Sequence, residues 1–572
     1  MKNVILLLGL VSCSTAFNQG LTSPALESAL KSPEKQHNLD LSNNELTGLP
    51  ESIGSLKNLY FIDLSDNQIV FLPESFCDMA ALSMINASDN NLKRLPSNIQ
   101  ELHHLHSLVL SKNKISSLPE SICDLDSLDA LDVSENALRS LPEYFGNLSM
   151  LTSLDLNENQ ISELPKSIAN LTSLNHIGLS DNKLSTLPSG MSLMTNLTYL
   201  NLSGNQISKF PKAIIEMSAL TDLNLNRNEL KALSDKITQL KNLEYLDLDG
   251  NELSKLPKNI GELSNLISLH AESNQITSLP ESIGNLNNLN SLSLKDNQIV
   301  SLPSSIGKLV KLQELYISAN GIALLPETFG ELKSLSKLNL EDNFLIDLPE
   351  NFGKLTLLED LYLGGNQITE LPESFGKCTG LLRVDLSRNK LSTLPETIDG
   401  LSMLSELNLR ENQITVLPKE IGALTNLTEL SLNENLLKEL PNTIGNLGSL
   451  TSLSLDGNQL TSLPEDFGDL KNLKRLYLQG NNIKKLPESF TNLKKLAYLN
   501  MDANNLKTLP KNISELTSLN YLSLENNSLK SLPESIGELI NLKTLILKGN
   551  LFSEKEQARI RALVPKDCDI RF

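Results

Sequence analysis

Apolar and polar residues alternate over short stretches of the chain, lose the alternation, and then repeat the whole pattern every 23 residues. In the stretch Leu246, Asp247, Leu248, Asp249, Gly250, Asn251, two leucines stand five and three residues before an asparagine. In the stretch Ile62 to Asn67 an isoleucine takes the first of those places. The asparagine recurs without insertion or deletion from Asn44, Asn67 and Asn90 to Asn504, Asn527 and Asn550, giving 23 copies. A period of two is that of a β-strand, so the two leucines point to one side and the residues between them to the other. One unit cannot bury its own apolar face. Stacked units create a shared core, and stability becomes a sum over units and their interfaces.

The remaining columns have physical reasons of their own. Proline stands six residues after the asparagine, from Pro50 to Pro533, in 21 of 22 units, Ser234 being the exception. It fixes φ and forces the preceding residue to be extended, which suits a tight return path. An apolar residue follows nine after the asparagine, as at Ile53, Phe76, Ile99 and Phe490, and covers the core from the far side. The asparagine amide both donates and accepts, so it can satisfy backbone groups of adjacent turns that would otherwise be buried unpaired. The pattern predicts an α/β repeat: a curved solenoid with a parallel β-sheet on its concave face and short helical or irregular segments on its convex face.

A period between about 20 and 29 residues with these columns resembles the leucine-rich-repeat family. The resemblance covers residues 38–552. The phrase running from Leu49 to Leu59, and again from Leu532 to Leu542, is similar to the 23-residue LPxxIGxLxxL subtype. That subtype occurs in Ras-pathway scaffolds, plant intracellular Ras-group-related proteins and bacterial secreted proteins. The lead-in Ala29 to Ser42 and the ending Ser553 to Phe572 look most like bacterial secreted or surface members, spirochaete ones in particular. The cysteine-rich caps of eukaryotic extracellular members are missing. The resemblance implies a non-enzymatic binding module, with no cofactor.

Both ends of a solenoid need covering. Residues 17–37 are expected to form an N-terminal cap, with Ser23 as N-cap and Pro24 at the first helical position. Residues 553–572 are expected to close the other end. Ser553 and Glu556 have capping-box spacing, Ile560 and Leu563 share a helix face, and Cys568 to Phe572 can add a strand. Only 22 residues follow Asn550, too few for a catalytic domain, so no appended ubiquitin-ligase domain is expected. Residues 1–16 carry Lys2 and then an apolar run from Val4 to Val11. The run is far short of the about 20 residues that span a bilayer as a helix, and it suits a secretory signal. Two exits fit. Leu10 to Cys13 resembles a lipoprotein box, with Cys13 lipidated; alternatively Ser14 and Ala16 precede an ordinary cleavage site. An apolar start on a cytosolic chain is the remaining reading.

Of the 572 residues 49 are basic and 68 acidic, a formal net charge of -19, which offers no footprint for nucleic acid or an anionic membrane surface. Membrane attachment is expected only through a lipid on Cys13. Cys77 and Cys123 occupy equivalent places two repeats apart, at roughly 10 Å, too far for a disulfide. Cys378 replaces a core leucine. His103, His104 and His106 cluster without acidic or cysteine partners at metal-ligand spacing, so solvated histidines are the plainer reading. The sequons at Asn196 and Asn426 follow from the repeat phrase.

The columns six, four and two residues before each asparagine face away from the core, and seven of the nine tyrosines fall in them. Tyrosine offers contact area with a polar tip and is common at interfaces; strand propensity alone does not explain its outward placement. A first candidate patch comprises Tyr199, Asp222, Tyr245, Asp247, Asp249 and His270, continuing to Glu272, Glu314, Tyr316 and Tyr362. A second comprises Arg475, Tyr477, Tyr498, Asp502 and Tyr521. The expected partner of a monomeric chain is a protein, or a glycan.

Overall fold

The computed structural model describes residues 20–572, so the exported-signal reading, Cys13 included, lies outside the described residues. The chain divides into two compact units, Met1–Gln275 and Ile276–Phe572. In the first, eleven three-residue strands run from β1 (Asn38–Asp40) to β11 (Ser268–His270). In the second, thirteen run from β12 (Ser291–Ser293) to β24 (Asp569–Arg571). Within each unit every strand pairs in parallel with the next along the chain. Register is one full repeat, as in Asn38 with Phe61 and Tyr245 with Ser268. Leu246 and Leu248 are 2% and 0% exposed. On the other side of the core, five-residue 3₁₀ turns such as Glu51–Ser55 follow the prolines. The Pro50 carbonyl accepts from Ile53 N–H at 3.0 Å, which starts the turn. In the second unit Phe329, Phe352 and Phe375 stack at 6.3 Å centroid spacing.

The asparagines form a ladder. Asn251 Oδ1 accepts from Leu230 N–H at 3.0 Å. Its Nδ2 donates to the carbonyls of Leu225, Leu248 and Asp249 at 3.0, 2.9 and 3.2 Å. One side chain thus serves backbone groups of two successive turns that are closed to water. The residue before each ladder asparagine is in the left-handed region in all 23 repeats, from Asn43 at φ 53° to Gly549 at φ 71°. Six of these residues are glycine, Gly250 among them, and seven are Asp or Asn, which tolerate the conformation; the others are mostly Glu, Lys or Arg, which carry backbone strain there. Neighbouring hydrogen bonds hold them in place. The residue four before the asparagine accepts from the N–H two further on, as Asp63 does from Ser65 at 2.9 Å.

Two further ladders are not evident from the sequence. Hydroxyls in the 3₁₀ turns donate to the previous repeat, as Thr443 does to the Lys419 carbonyl at 2.6 Å. The sequon asparagines do likewise: Asn196 donates to the Thr172 carbonyl at 3.0 Å and Asn426 to that of Ser402 at 2.8 Å. Their amides are structural.

Helix α1 (Pro24–Lys31) lies at the N-terminal end, its Leu26 N–H donating to the Ser23 hydroxyl at 3.3 Å. Helix α2 (Glu554–Leu563) begins at Ser553, whose hydroxyl accepts from Glu556 N–H. Its buried side is made by Ile560 and, at the C-cap, Val564; Leu563, expected there, is half-buried. Glu556 accepts from Leu532 N–H at 3.2 Å, and Arg559 donates to the Leu532 carbonyl, so the pair caps backbone groups of the last repeat. Strand β24 then pairs with β23 (Thr544–Ile546). No helix among the described residues is long and apolar enough to cross a membrane.

Ser234, the exception in the proline column, has φ −68° and ψ 134°, and its hydroxyl accepts from Lys236 N–H at 3.3 Å. Its φ is already that of proline. Ser234→Pro is therefore expected to stabilise the chain by about 0.5 kcal/mol, through lower unfolded-state entropy. A fall in melting temperature would show that the serine cap outweighs the proline constraint.

Candidate functional site

The outward columns give each unit a solvent-facing sheet surface, and the tyrosines lie on it. In the first unit Tyr199, Asp222, Tyr245, Asp247 and His270 line one shallow hollow of about 200 Å³. Tyr245 is 45% exposed and flanked in register by Asp222 and Ser268. Tyr199 stacks on His176, with centroids 4.3 Å apart and planes within 4°. Sequence reasoning leaves out His176, although it shares the column of Tyr199. Asp222 accepts from the Thr221 hydroxyl at 2.6 Å, and His270 Nε2 lies 3.1 Å from the Ser268 hydroxyl.

The acidic run is less free than the sequence suggests. Asp247 accepts from Asp249 N–H at 3.0 Å and from Asn226 Nδ2 at 2.8 Å. Asp249 accepts from Glu272 N–H at 2.5 Å. These carboxylates hold turns. Burial pushes the Asp249 carboxyl up to about 6, with the charges of Asp247 and Glu272 adding to the shift and the Glu272 N–H opposing it.

Asp249 thus binds its proton more tightly folded than unfolded. Its contribution to stability falls as pH rises from about 4 to about 6, and the penalty is complete above that. Asn157 stands in the same column and accepts from Ser180 N–H at 2.6 Å, so asparagine supports the same bond. Asp249→Asn is expected to stabilise the chain by about 1 kcal/mol at pH 7, after allowance for solvent screening, with the gain vanishing near pH 4. Melting temperatures of both proteins across that range check it; an equal difference at both ends contradicts it.

In the second unit Glu314 pairs with Lys337 Nζ at 3.0 Å and is not a free acid. Tyr316 and Tyr362 share a column two strands apart, with Asn339 between them. Tyr362 lines a different hollow, of about 240 Å³, with Arg383, Asp385, Glu406 and Asn408. Arg383 lies 2.7 and 2.8 Å from the two oxygens of buried Asp360, which hold it ionised. This pair escapes a reading of the sequence, because a lone Arg and a lone Asp 23 residues apart announce nothing until the register is known.

Further along the second unit Tyr498 stacks on Tyr521 at 4.4 Å and 4°, and meets Tyr477 at 5.1 Å and 43°. Arg475, beside Tyr498 in register, reaches Glu429 at 3.4 Å. Asp502 is held by the next repeat, accepting from the Ser523 hydroxyl at 2.5 Å and Glu525 N–H at 2.7 Å. The three rings and Arg475 form a surface; Asp502 supports it.

His106 Nδ1 lies 2.8 Å from the His104 carbonyl, and no group of three metal-ligating side chains is arranged to hold an ion among the described residues. Cys77, Cys123 and Cys378 are buried and unpaired, and burial raises each thiol to about 12.

Comparison with known proteins matches this architecture. A profile described as a leucine-rich repeat region matches residues 131–225, 216–294, 272–343 and 452–564. A second, described as leucine rich repeat, matches 37–92, 371–414 and 402–460. The chain belongs to the leucine-rich-repeat family. It is similar to a Leptospira interrogans leucine-rich-repeat protein at 40% identity, over 64% of this chain and 93% of that one, with a TM-score of 0.57. It is also similar to the Arabidopsis receptor kinase HAESA, solved in complex with the peptide hormone IDA and a co-receptor. There the identity is 30%, over 93% of this chain and 88% of that one, with a TM-score of 0.65. YopM from Yersinia enterocolitica matches at 26% identity, over 92% and 93% of the two chains, with a TM-score of 0.55. No curated protein sequence matches the chain.

Proposed function

We propose that this chain is a non-enzymatic binding module that takes a protein partner on the solvent face of its sheet, and that a bacterium exports it to its surface or beyond. The observation that carries the reading is the hollow where Tyr199, Asp222, Tyr245, Asp247 and His270 converge, on a face with no core role. Exposed aromatic area beside hydrogen-bonding groups is what a protein interface uses. The similar HAESA structure holds a peptide hormone. Export rests on the charged and apolar pattern of residues 1–16 and on the likeness to a Leptospira protein. The competing reading, an intracellular scaffold for a signalling protein, is favoured by the repeat phrase from Leu49 to Leu59.

Affinity capture with the wild-type chain and with Tyr245→Ala/Tyr316→Ala tests the binding reading. A partner retained by the first and lost by the second is the expected result. Mass spectrometry of the native protein tests export. Loss of the first 12 residues with a lipid on Cys13, or loss of the first 16, is expected. An intact Met1 on cytosolic protein supports the scaffold instead.

A further inference from the structure

Two grooves lie away from the tyrosine surface, one in each unit, and they are opposite in charge. In the second unit a groove of about 500 Å³ is lined by Glu327, Asp347, Glu350, Glu370 and Glu373 around Leu324. None of these five carboxylates has an ion-pair partner among the described residues. Phe344 and Ile346, shortly before Asp347 in the chain, are exposed. Their columns hold residues such as Gln367 and Thr369 in the next repeat, so the apolar side chains are a local departure. In the first unit a groove of about 380 Å³ is lined by Lys209, Lys212 and Lys231 with Phe210 and Ile215. Lys231 makes only a 3.9 Å contact with Glu252.

The two grooves use the same columns of the repeat. Lys209 stands four residues after its asparagine, as Asp347 and Glu370 do; Lys212 stands seven after, as Glu327, Glu350 and Glu373 do. Apolar and charged side chains line each groove together, Leu324 in one and Phe210 and Ile215 in the other, and both kinds of group take part in protein interfaces. We propose that this chain self-associates, the lysine-lined groove of one copy seating against the carboxylate-lined groove of another. The charges complement each other and the apolar residues leave water together.

Sedimentation of the full chain tests this. Exposed charges interact over about 10 Å at 0.1 M salt and about 3 Å at 1 M, so association is expected at low salt and loss of it at high salt. Lys209→Glu/Lys212→Glu and, separately, Glu350→Lys/Glu373→Lys should each sediment as monomers. Mixed together, the two variants should associate again, because each retains the groove that the other needs. All four positions are on the surface, and circular dichroism confirms folding. A wild-type chain that stays monomeric at low salt, or association that survives in both variants, overturns the proposal.

Discussion

Replacing Asn251 by alanine is expected to destabilise the chain by about 3–5 kcal/mol, because it leaves several buried backbone groups without partners at about 1–3 kcal/mol each. The lost bonds are the acceptor for Leu230 N–H and the donors to Leu225, Leu248 and Asp249. The same change at Asn44 should cost about 1 kcal/mol, the value of one ordinary hydrogen bond. Among the described residues its amide donates only to the Ser42 carbonyl, at 2.7 Å. Asn251→Asp is a sharper test. It keeps the acceptor but sets a carboxylate against three carbonyl oxygens, and should destabilise at least as much as alanine. Thermal melting gives the size of each effect, and hydrogen exchange at Leu230 places it. Equal losses at Asn44 and Asn251 would show that the ladder is not what holds the turns.

The repeat is legible in the sequence because its columns have simple causes. The period of two before Asn251, the proline six after and the apolar residue nine after each follow from one steric or burial requirement. The left-handed residue is only partly legible. Its column holds Gly, Asp or Asn in 13 of the 23 repeats, types that tolerate the conformation, but also Lys112, Glu135 and Ala319, which neighbouring hydrogen bonds hold there. The site is half legible. Outward placement of Tyr245 and Tyr498 follows from strand alternation. Whether an outward carboxylate is free does not, since that depends on the next repeat: Asp249 is held by Glu272 N–H and Glu314 by Lys337.

Tyr477→Ala/Tyr498→Ala is expected to weaken binding of a partner that uses this surface by about 2 kcal/mol or more, roughly 30-fold. The stacked rings also support one another, so this pair should cost about 1 kcal/mol of stability. Tyr245 has no ring partner among the described residues, and Tyr245→Ala should change stability by no more than about 0.5 kcal/mol. Calorimetric titration beside melting curves separates the two effects. Binding unchanged in both variants would reduce the tyrosines to strand formers.

The most direct measurement asks which face the partner touches. A photo-cross-linking amino acid is placed at Tyr245, on the sheet face, and in a second protein at Tyr144, which is 62% exposed beside the 3₁₀ turn Phe145–Asn147. Irradiation with a partner captured by the wild-type chain is expected to give a cross-linked product from position 245 and none from 144. Cross-linking from 144 alone would contradict the account and move the binding surface to the opposite side of the repeats.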